Sequence, residues 1–113
     1  MLLIVFGLLG FLTSCAHTNP PPKDMQEAIQ RATTRCDHEA LAKHYEETAR
    51  ELQLKVKKHK KMLESYGSVT FNSEKEGLEL QAHSKNLINL YEQAVKANMD
   101  MANSHRAIAA EIK

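Results

Sequence analysis

Apolar residues recur at steps of three and four along two long segments of the chain. This spacing places each series along one face of an α-helix. The pattern therefore predicts two amphipathic helices, each packing through one stripe. The first stripe consists of Leu41, Ala42, Tyr45, Ala49, Leu52, Val56, His59, Leu63 and Tyr66. The second consists of Leu80, His83, Leu87, Tyr91, Ala94, Met101, His105, Ile108 and Ile112.

Helix boundaries can be read from capping patterns in the sequence. Three segments, Asp24–Glu27, Thr34–Asp37 and Ser73–Glu76, each place a side-chain acceptor three residues before an acid. That arrangement is typical of a capping box at a helix N-terminus. No Pro or Gly interrupts 38–66, and Gly67 follows, where a glycine in the left-handed conformation would end a helix.

These boundaries predict an all-α fold with a long helical hairpin. A short helix at 24–33 precedes the hairpin domain at 34–113, whose two long helices are joined by a turn at 68–72. Long helices with so short a connection run antiparallel. A lone hairpin buries one face of each helix and leaves little further core, so we expect a homodimer that forms a four-helix bundle.

The N-terminal segment has a different character from the rest of the chain. Its first fourteen residues carry no charge, and the apolar run 1–12 is too short to span a membrane as a helix. It fits the apolar core of a secretory signal peptide. The segment Leu12-Thr13-Ser14-Cys15 resembles the lipobox of bacterial lipoproteins. We therefore assign 1–14 to a cleaved signal peptide and 15–23, with three consecutive prolines, to a lipidated cysteine and flexible tether.

The lipobox resemblance implies a location for the protein. In that class a peptidase cleaves before the cysteine, whose thiol then carries diacylglycerol and whose new amino terminus is acylated, commonly with palmitate. Several acyl chains on Cys15 would hold the protein stably to a bilayer. Because Ala16 rather than Asp follows the cysteine, the resemblance implies the outer membrane, facing the periplasm. The other interpretation is a buried apolar N-terminal element that ends in an ordinary cysteine.

Acylation of Cys15 would leave Cys36 alone in an oxidising compartment. A single cysteine there is buried and inert, is paired with another chain, or serves as a metal ligand. These three alternatives remain open from the sequence.

Four of the six histidines are spaced in a way that predicts pairs across the hairpin. His38 and His59 are 21 residues apart, and His83 and His105 are 22 apart. Each spacing is close to a whole number of helical turns. Folding the chain at 68–72 therefore predicts the cross-helix pairs His38–His105 and His59–His83.

Imidazole pairs are candidate metal ligands. Neutral imidazole binds copper and zinc, and facing helices of a bundle can supply such ligands. Cys36, Met62 and Met101 are candidate additional donors, and thioethers favour copper. The alternative is that these histidines pack as half-buried polar residues between the helices.

The balance of charged residues and the sequence motifs argue against two classes of function. The chain carries 15 Lys and Arg against 14 Asp and Glu, whereas a nucleic-acid-binding surface needs a clear excess of positive charge. No nucleophile elbow, phosphate-binding loop or zincin motif occurs, so we expect no enzyme. The sequence favours a non-catalytic, lipid-anchored envelope protein with a structural or protein-interaction role. The alternative is a periplasmic copper- or zinc-binding protein that uses the histidine pairs.

Overall fold

The computed structural model describes Cys15 and residues 24–113; the predicted signal peptide and 16–23 of the tether lie outside the described residues. Its helices are α1 (Met25–Arg31), α2 (Arg35–Ser68) and α3 (Glu74–Glu111). The two long helices pack against each other over their length, and α1 contacts only α2. The predicted all-α fold, a short helix followed by a pair of long packed helices, is confirmed.

Each helix begins at the residue that the capping patterns indicated. Asp24 accepts hydrogen bonds from the backbone N–H groups of Gln26 and Glu27. The hydroxyl of Thr34 accepts from the N–H of Asp37, whose carboxylate in turn accepts from the N–H of Thr34. The hydroxyl of Ser73 accepts from the N–H of Glu76 at the start of α3. These side chains satisfy N–H groups that have no partner within the helix.

The end of α2 differs from the prediction. The helix runs through Gly67 to Ser68, and Gly67 does not adopt a positive φ. The backbone N–H of Val69 donates to the carbonyl of Ser65, which keeps the last turn closed without a left-handed residue. The connection to α3 is therefore 69–73 rather than 68–72.

The contact between α2 and α3 follows a seven-residue repeat, which we call the seam. Each helix contributes two buried or half-buried positions per heptad, as in a coiled coil. In α2 the seam comprises His38, Ala42, Tyr45, Ala49, Leu52, Val56, His59, Leu63 and Tyr66. In α3 it comprises Gly77, Gln81, Ser84, Ile88, Tyr91, Val95, Asn98, Ala102, His105 and Ala109. The α2 stripe expected from the sequence lies in this seam, with Leu41 buried beside it.

The stripe predicted for α3 is mostly not the face that packs on α2. Tyr91 and His105 lie in the seam, but the larger aliphatic residues are solvent-exposed. Small residues, such as the fully buried Ala102, face α2 instead and let the two backbones approach closely. We call the exposed heptad series the open stripe. It consists of Leu80, His83, Leu87, Leu90, Ala94, Ala97, Met101, Ser104 and Ile108.

The two edges of the seam differ in chemistry. One edge carries ion pairs that join the helices: Glu46 with Arg106, and Lys60 with Glu92 at 2.8 Å. The other edge is the one beside the open stripe. The earlier α2 residue, Glu46, pairs with the later α3 residue, whereas the later one, Lys60, pairs with the earlier one, so the helices run antiparallel.

Gly77 lies against the ring of Phe71 from the connecting segment. A Cβ at Gly77 would come within 2.8 Å of Phe71 Cδ2, which is closer than such atoms pack. We expect Gly77→Ala to lower the free energy of unfolding by up to about 1 kcal/mol, although alanine favours helix by about that amount. In a Phe71→Ala background the same substitution should instead raise it. Chemical denaturation of the four variants measures both changes, and a stabilising Gly77→Ala in both backgrounds would contradict the packing argument.

Candidate functional site

Cys15 and Cys36 form a disulfide that joins the end of the tether to the first turn of α2. Their Cα atoms are 5.6 Å apart and 21 residues separate them in sequence. The structure thus describes the state in which Cys15 is not acylated, and the sulfur of Cys36 cannot serve as a thiolate ligand in this state. A diacylglycerol thioether would use the same sulfur of Cys15 as the disulfide. One molecule consequently carries the lipid or this disulfide, but not both.

The capping box of α2 fixes the backbone between Cys36 and His38. Asp37 accepts hydrogen bonds from the Thr34 hydroxyl and from the N–H groups of Thr34 and Thr33, and these lower the pKa of its carboxyl. The carboxylate is thus held as an N-terminal cap. It is occupied by the helix end rather than free to serve as a metal ligand.

His38 and His105 meet across the seam as the sequence predicted. Their Nδ1 atoms are 3.0 Å apart, which is a hydrogen-bond distance. Tyr45 stacks on His105, with ring centroids 5.7 Å apart and an angle of 10° between the planes. The His38 and His105 ring centroids are 5.3 Å apart, so the His105 ring contacts His38 through its nitrogen edge and Tyr45 through its face. We call these three residues the ring cluster.

The ring cluster disfavours positive charge on His105. Burial lowers the pKa of the His105 imidazole, and the neighbouring His38 lowers it further. In the Nδ1–Nδ1 contact one imidazole donates a proton and the other accepts it.

This arrangement predicts a dependence of stability on pH. Above about pH 6.5, the usual imidazole pKa, His105 is neutral in both the folded and unfolded chain. As the pH falls below that value, the unfolded chain binds a proton that folded His105 resists, so the free energy of unfolding decreases until the lowered folded pKa is reached. We expect the melting temperature to fall between pH 7 and pH 5 more steeply for the unmodified chain than for His105→Gln. Equal slopes would contradict a role for His105.

The predicted pair His59–His83 does not form. The ring of His59 stacks on Tyr91, with centroids 5.2 Å apart, while His83 is solvent-exposed in the open stripe. The reason is the period of the seam. Counting back 21 residues, three heptads, from His105 leads to Ser84, which is buried, whereas the 22-residue step to His83 leaves the seam.

The remaining candidate ligands do not complete a metal site. Met62 and Met101 are both exposed, and the sulfur of Cys36 is in the disulfide. Within the described residues, no group of three or more His, Cys, Asp or Glu side chains could hold a metal ion. The structure thus brings together two of the four predicted imidazoles and none of the additional donors.

Two features of the surface did not emerge from the sequence reasoning. The first is the ion pair of Glu46 and Arg106, in which two nitrogens face two oxygens; the Arg106 hydrogen bond lowers the pKa of Glu46. The second is the exposure of the open stripe. The signal that could have revealed it is a pair of small residues seven positions apart at each end of α3, Gly77 with Ser84 and Ala102 with Ala109, which marks a close helix contact on another face.

No helix in the described part of the chain is both long and apolar enough to cross a membrane. The side chains brought together within this part are the ring cluster, the disulfide and the aliphatic residues of the open stripe. Comparison of the chain with protein-family models, with curated proteins and with solved structures gave no match.

Proposed function

We propose that the chain is a small non-catalytic lipoprotein of the bacterial cell envelope whose helical hairpin provides a protein-interaction surface. Cys15 would carry the lipid anchor, and the hairpin would face the periplasm from the outer membrane. The observation that carries the interaction role is the open stripe. The lipobox resemblance at residues 12–15 supports the anchor.

The open stripe is unusual for a surface that faces only water. Leu80, Leu87, Leu90, Met101 and Ile108 are between 37% and 53% exposed, and they follow one line along α3. Single exposed aliphatic residues are common, but a continuous apolar line marks a contact surface in soluble proteins. The seam already packs α2 against α3, and the open stripe lies outside the seam. This line of α3 is therefore available for contact with another helix.

Both chemical states of Cys15 are consistent with an exported protein. Lipidation follows export in bacterial lipoproteins, and a disulfide such as Cys15–Cys36 persists in oxidising compartments. Either state therefore supports export to an oxidising compartment, whereas attachment to the outer membrane requires the lipidated state.

Site-specific photo-cross-linking in intact bacteria tests the interaction role. A photoreactive amino acid at Leu87, in the open stripe, should give a discrete protein adduct. The matched control is Asn89, which is exposed on another face of α3 two residues away and should give none. Adducts at both positions, or at neither, would contradict a specific contact through the open stripe.

Metabolic labelling with palmitate tests the anchor separately. The unmodified chain should incorporate label, and Cys15→Ala should not. A Cys36→Ala variant provides the control, because it removes the disulfide and leaves the lipobox cysteine in place. Labelling that is absent from the unmodified chain would refute the lipid anchor without bearing on the open stripe.

The second candidate function is a periplasmic copper- or zinc-binding protein. The observation in its favour is the His38–His105 contact, which holds two ring nitrogens 3.0 Å apart at one end of the hairpin. Calorimetric titration of the full chain with copper and zinc tests this candidate against a His38→Gln, His105→Gln variant. Affinity that the double substitution leaves unchanged would refute a role for the ring cluster in metal binding.

A further inference from the structure

The Cys15–Cys36 disulfide occupies the sulfur that the proposed lipid anchor would use. The Cα atoms of the two residues are 5.6 Å apart, and both residues are exposed. The sulfur of a thioether or of a disulfide has one bond besides its bond to Cβ. The lipid and the sulfur of Cys36 therefore compete for the same atom of Cys15.

From this competition we infer that the disulfide is a redox control on the anchor. Cys15 is withheld from lipidation while the bond to Cys36 is closed, and a thiol reductant makes Cys15 available again. The inference rests on the lipid anchor proposed above and names its regulation. It does not involve the open stripe.

Cys36 is held at a helix start that forms without help from the disulfide. The N–H of Asp37 donates to the hydroxyl of Thr34 at 3.1 Å, and the carboxylate of Asp37 accepts from the N–H of Thr34 at 2.9 Å. This capping box is local and fixes the first turn of α2 around Cys36. Opening the disulfide leaves both partners in place, so the Cys36 thiol remains positioned to close the bond again.

The packing of the long helices is also separate from the disulfide. The seam begins at His38, and neither cysteine belongs to it. Helix α1, which lies between the two cysteines in the chain, contacts only α2, and none of its residues is buried. Opening the bond therefore releases Cys15 from α2 without disturbing the seam, as a control that acts on the anchor alone requires.

The exposure of both residues makes this disulfide accessible to other thiols. Disulfides open by attack of a thiolate on one of their sulfurs, and exposed disulfides are the labile and regulatory ones. A protein dithiol is the reductant that the exchange needs. Its two thiols become a disulfide, while the sulfurs of Cys15 and Cys36 each gain one electron and one proton. A protein disulfide acts as the oxidant in the reverse direction.

Lipidation needs the reduced sulfur because the thiolate, not the disulfide, is the nucleophile. The Cys15 thiol loses its proton and forms a carbon–sulfur bond to a glyceryl carbon of a phospholipid. The bond between that carbon and the phosphate oxygen breaks, and the phosphate-bearing headgroup leaves with the electron pair. This step consumes no oxidant or reductant, so the redox chemistry lies entirely in opening the disulfide.

Palmitate labelling of intact bacteria in the presence of the thiol oxidant diamide tests the inference. We expect the oxidant to lower the label on the unmodified chain by about threefold or more, because the closed disulfide protects Cys15. The matched control is Cys36→Ser, which differs by one atom and cannot form the bond. Its label should be the same with and without the oxidant, which also reports that the lipidation enzymes still work.

Reversal tests whether the closed state can be opened. After synthesis in the oxidant, further protein synthesis is stopped, and dithiothreitol is added together with labelled palmitate. The unmodified chain should then gain label. Before reduction, the unlabelled chain should not react with a maleimide-linked polymer, because both of its sulfurs are in the disulfide. Free thiols on that chain before reduction, or no gain of label after it, would overturn the inference.

Failure of the inference and failure of the anchor give different results. Equal label on the unmodified chain and on Cys36→Ser in the oxidant would overturn the redox control, and label without the oxidant would still support the anchor. An absence of label from both chains under every condition would refute the anchor itself, and the inference with it.

Discussion

Replacing Val56 by aspartate is expected to unfold the hairpin at physiological temperature. Val56 is fully buried in the middle of the seam, where a new carboxylate would be removed from water. Burying that charge and losing the apolar contact should together cost about 4 kcal/mol or more. That loss is comparable with the whole stability of a small domain, about 5–15 kcal/mol. Circular dichroism against temperature should show the loss of the cooperative transition.

Leu54 provides the matched control for this substitution. It is two residues away on the same helix, but it is 60% exposed on the opposite face. Leu54→Asp makes the same change from an aliphatic side chain to a carboxylate outside the seam. We expect it to change the free energy of unfolding by less than about 1 kcal/mol. Similar losses in both variants would mean that the heptad assignment of α2 is wrong.

Enlarging Ala102 is expected to force the two long helices apart. Ala102 is fully buried, and its small side chain lets α3 lie close to α2. Leucine at this position adds three carbons where there is no space. Overpacking of this kind should lower the free energy of unfolding by about 1–3 kcal/mol. Urea denaturation measures the change through the midpoint of the transition.

The same substitution at Ala107 separates packing from helix propensity. Ala107 lies five residues further along α3 and is solvent-exposed. Alanine and leucine differ little in helix propensity, so Ala107→Leu should be nearly neutral. If Ala102→Leu were also neutral, the close approach of α2 and α3 at this position would be refuted.

Much of the architecture follows from local signals in the sequence. The side chains of Asp24, Thr34 and Ser73 specify the three helix starts because each satisfies backbone N–H groups nearby. The α2 stripe was predicted correctly, since each of its residues is buried or half-buried in the structure. At the helix starts and along the α2 stripe, local preferences and tertiary packing favour the same structure. The sequence alone was therefore sufficient to predict these features.

The face of α3 could not be predicted in the same way. Its most hydrophobic line is the open stripe, whereas the face on α2 contains residues as small or polar as Gly77, Ser84 and Asn98. Helix α3 carries two heptad repeats, the seam and the open stripe. Choosing the more hydrophobic of the two therefore selects the face that does not pack on α2. The open stripe is offset by one residue from the seam. The same offset explains why His38 contacts His105, whereas His59 contacts Tyr91 rather than His83.

Two further differences arise from contacts that a linear pattern does not contain. The disulfide joins Cys15 and Cys36, which lie 21 positions apart in the sequence. The continuation of α2 through Gly67 depends on a hydrogen bond from Val69 to Ser65 rather than on glycine. Neither outcome can be read from spacing along the chain.

The seam keeps its heptad phase without a skipped or added residue throughout both long helices. Coiled coils unwind locally where residues are added to or skipped from the heptad repeat. Because the seam contains no such position, we expect the helical hairpin to be stiff along its length. Its α2 helix is 34 residues long, or about 51 Å at 1.5 Å per residue. The 69–73 connection would consequently stay at a nearly constant distance from the end of the hairpin that carries Cys36.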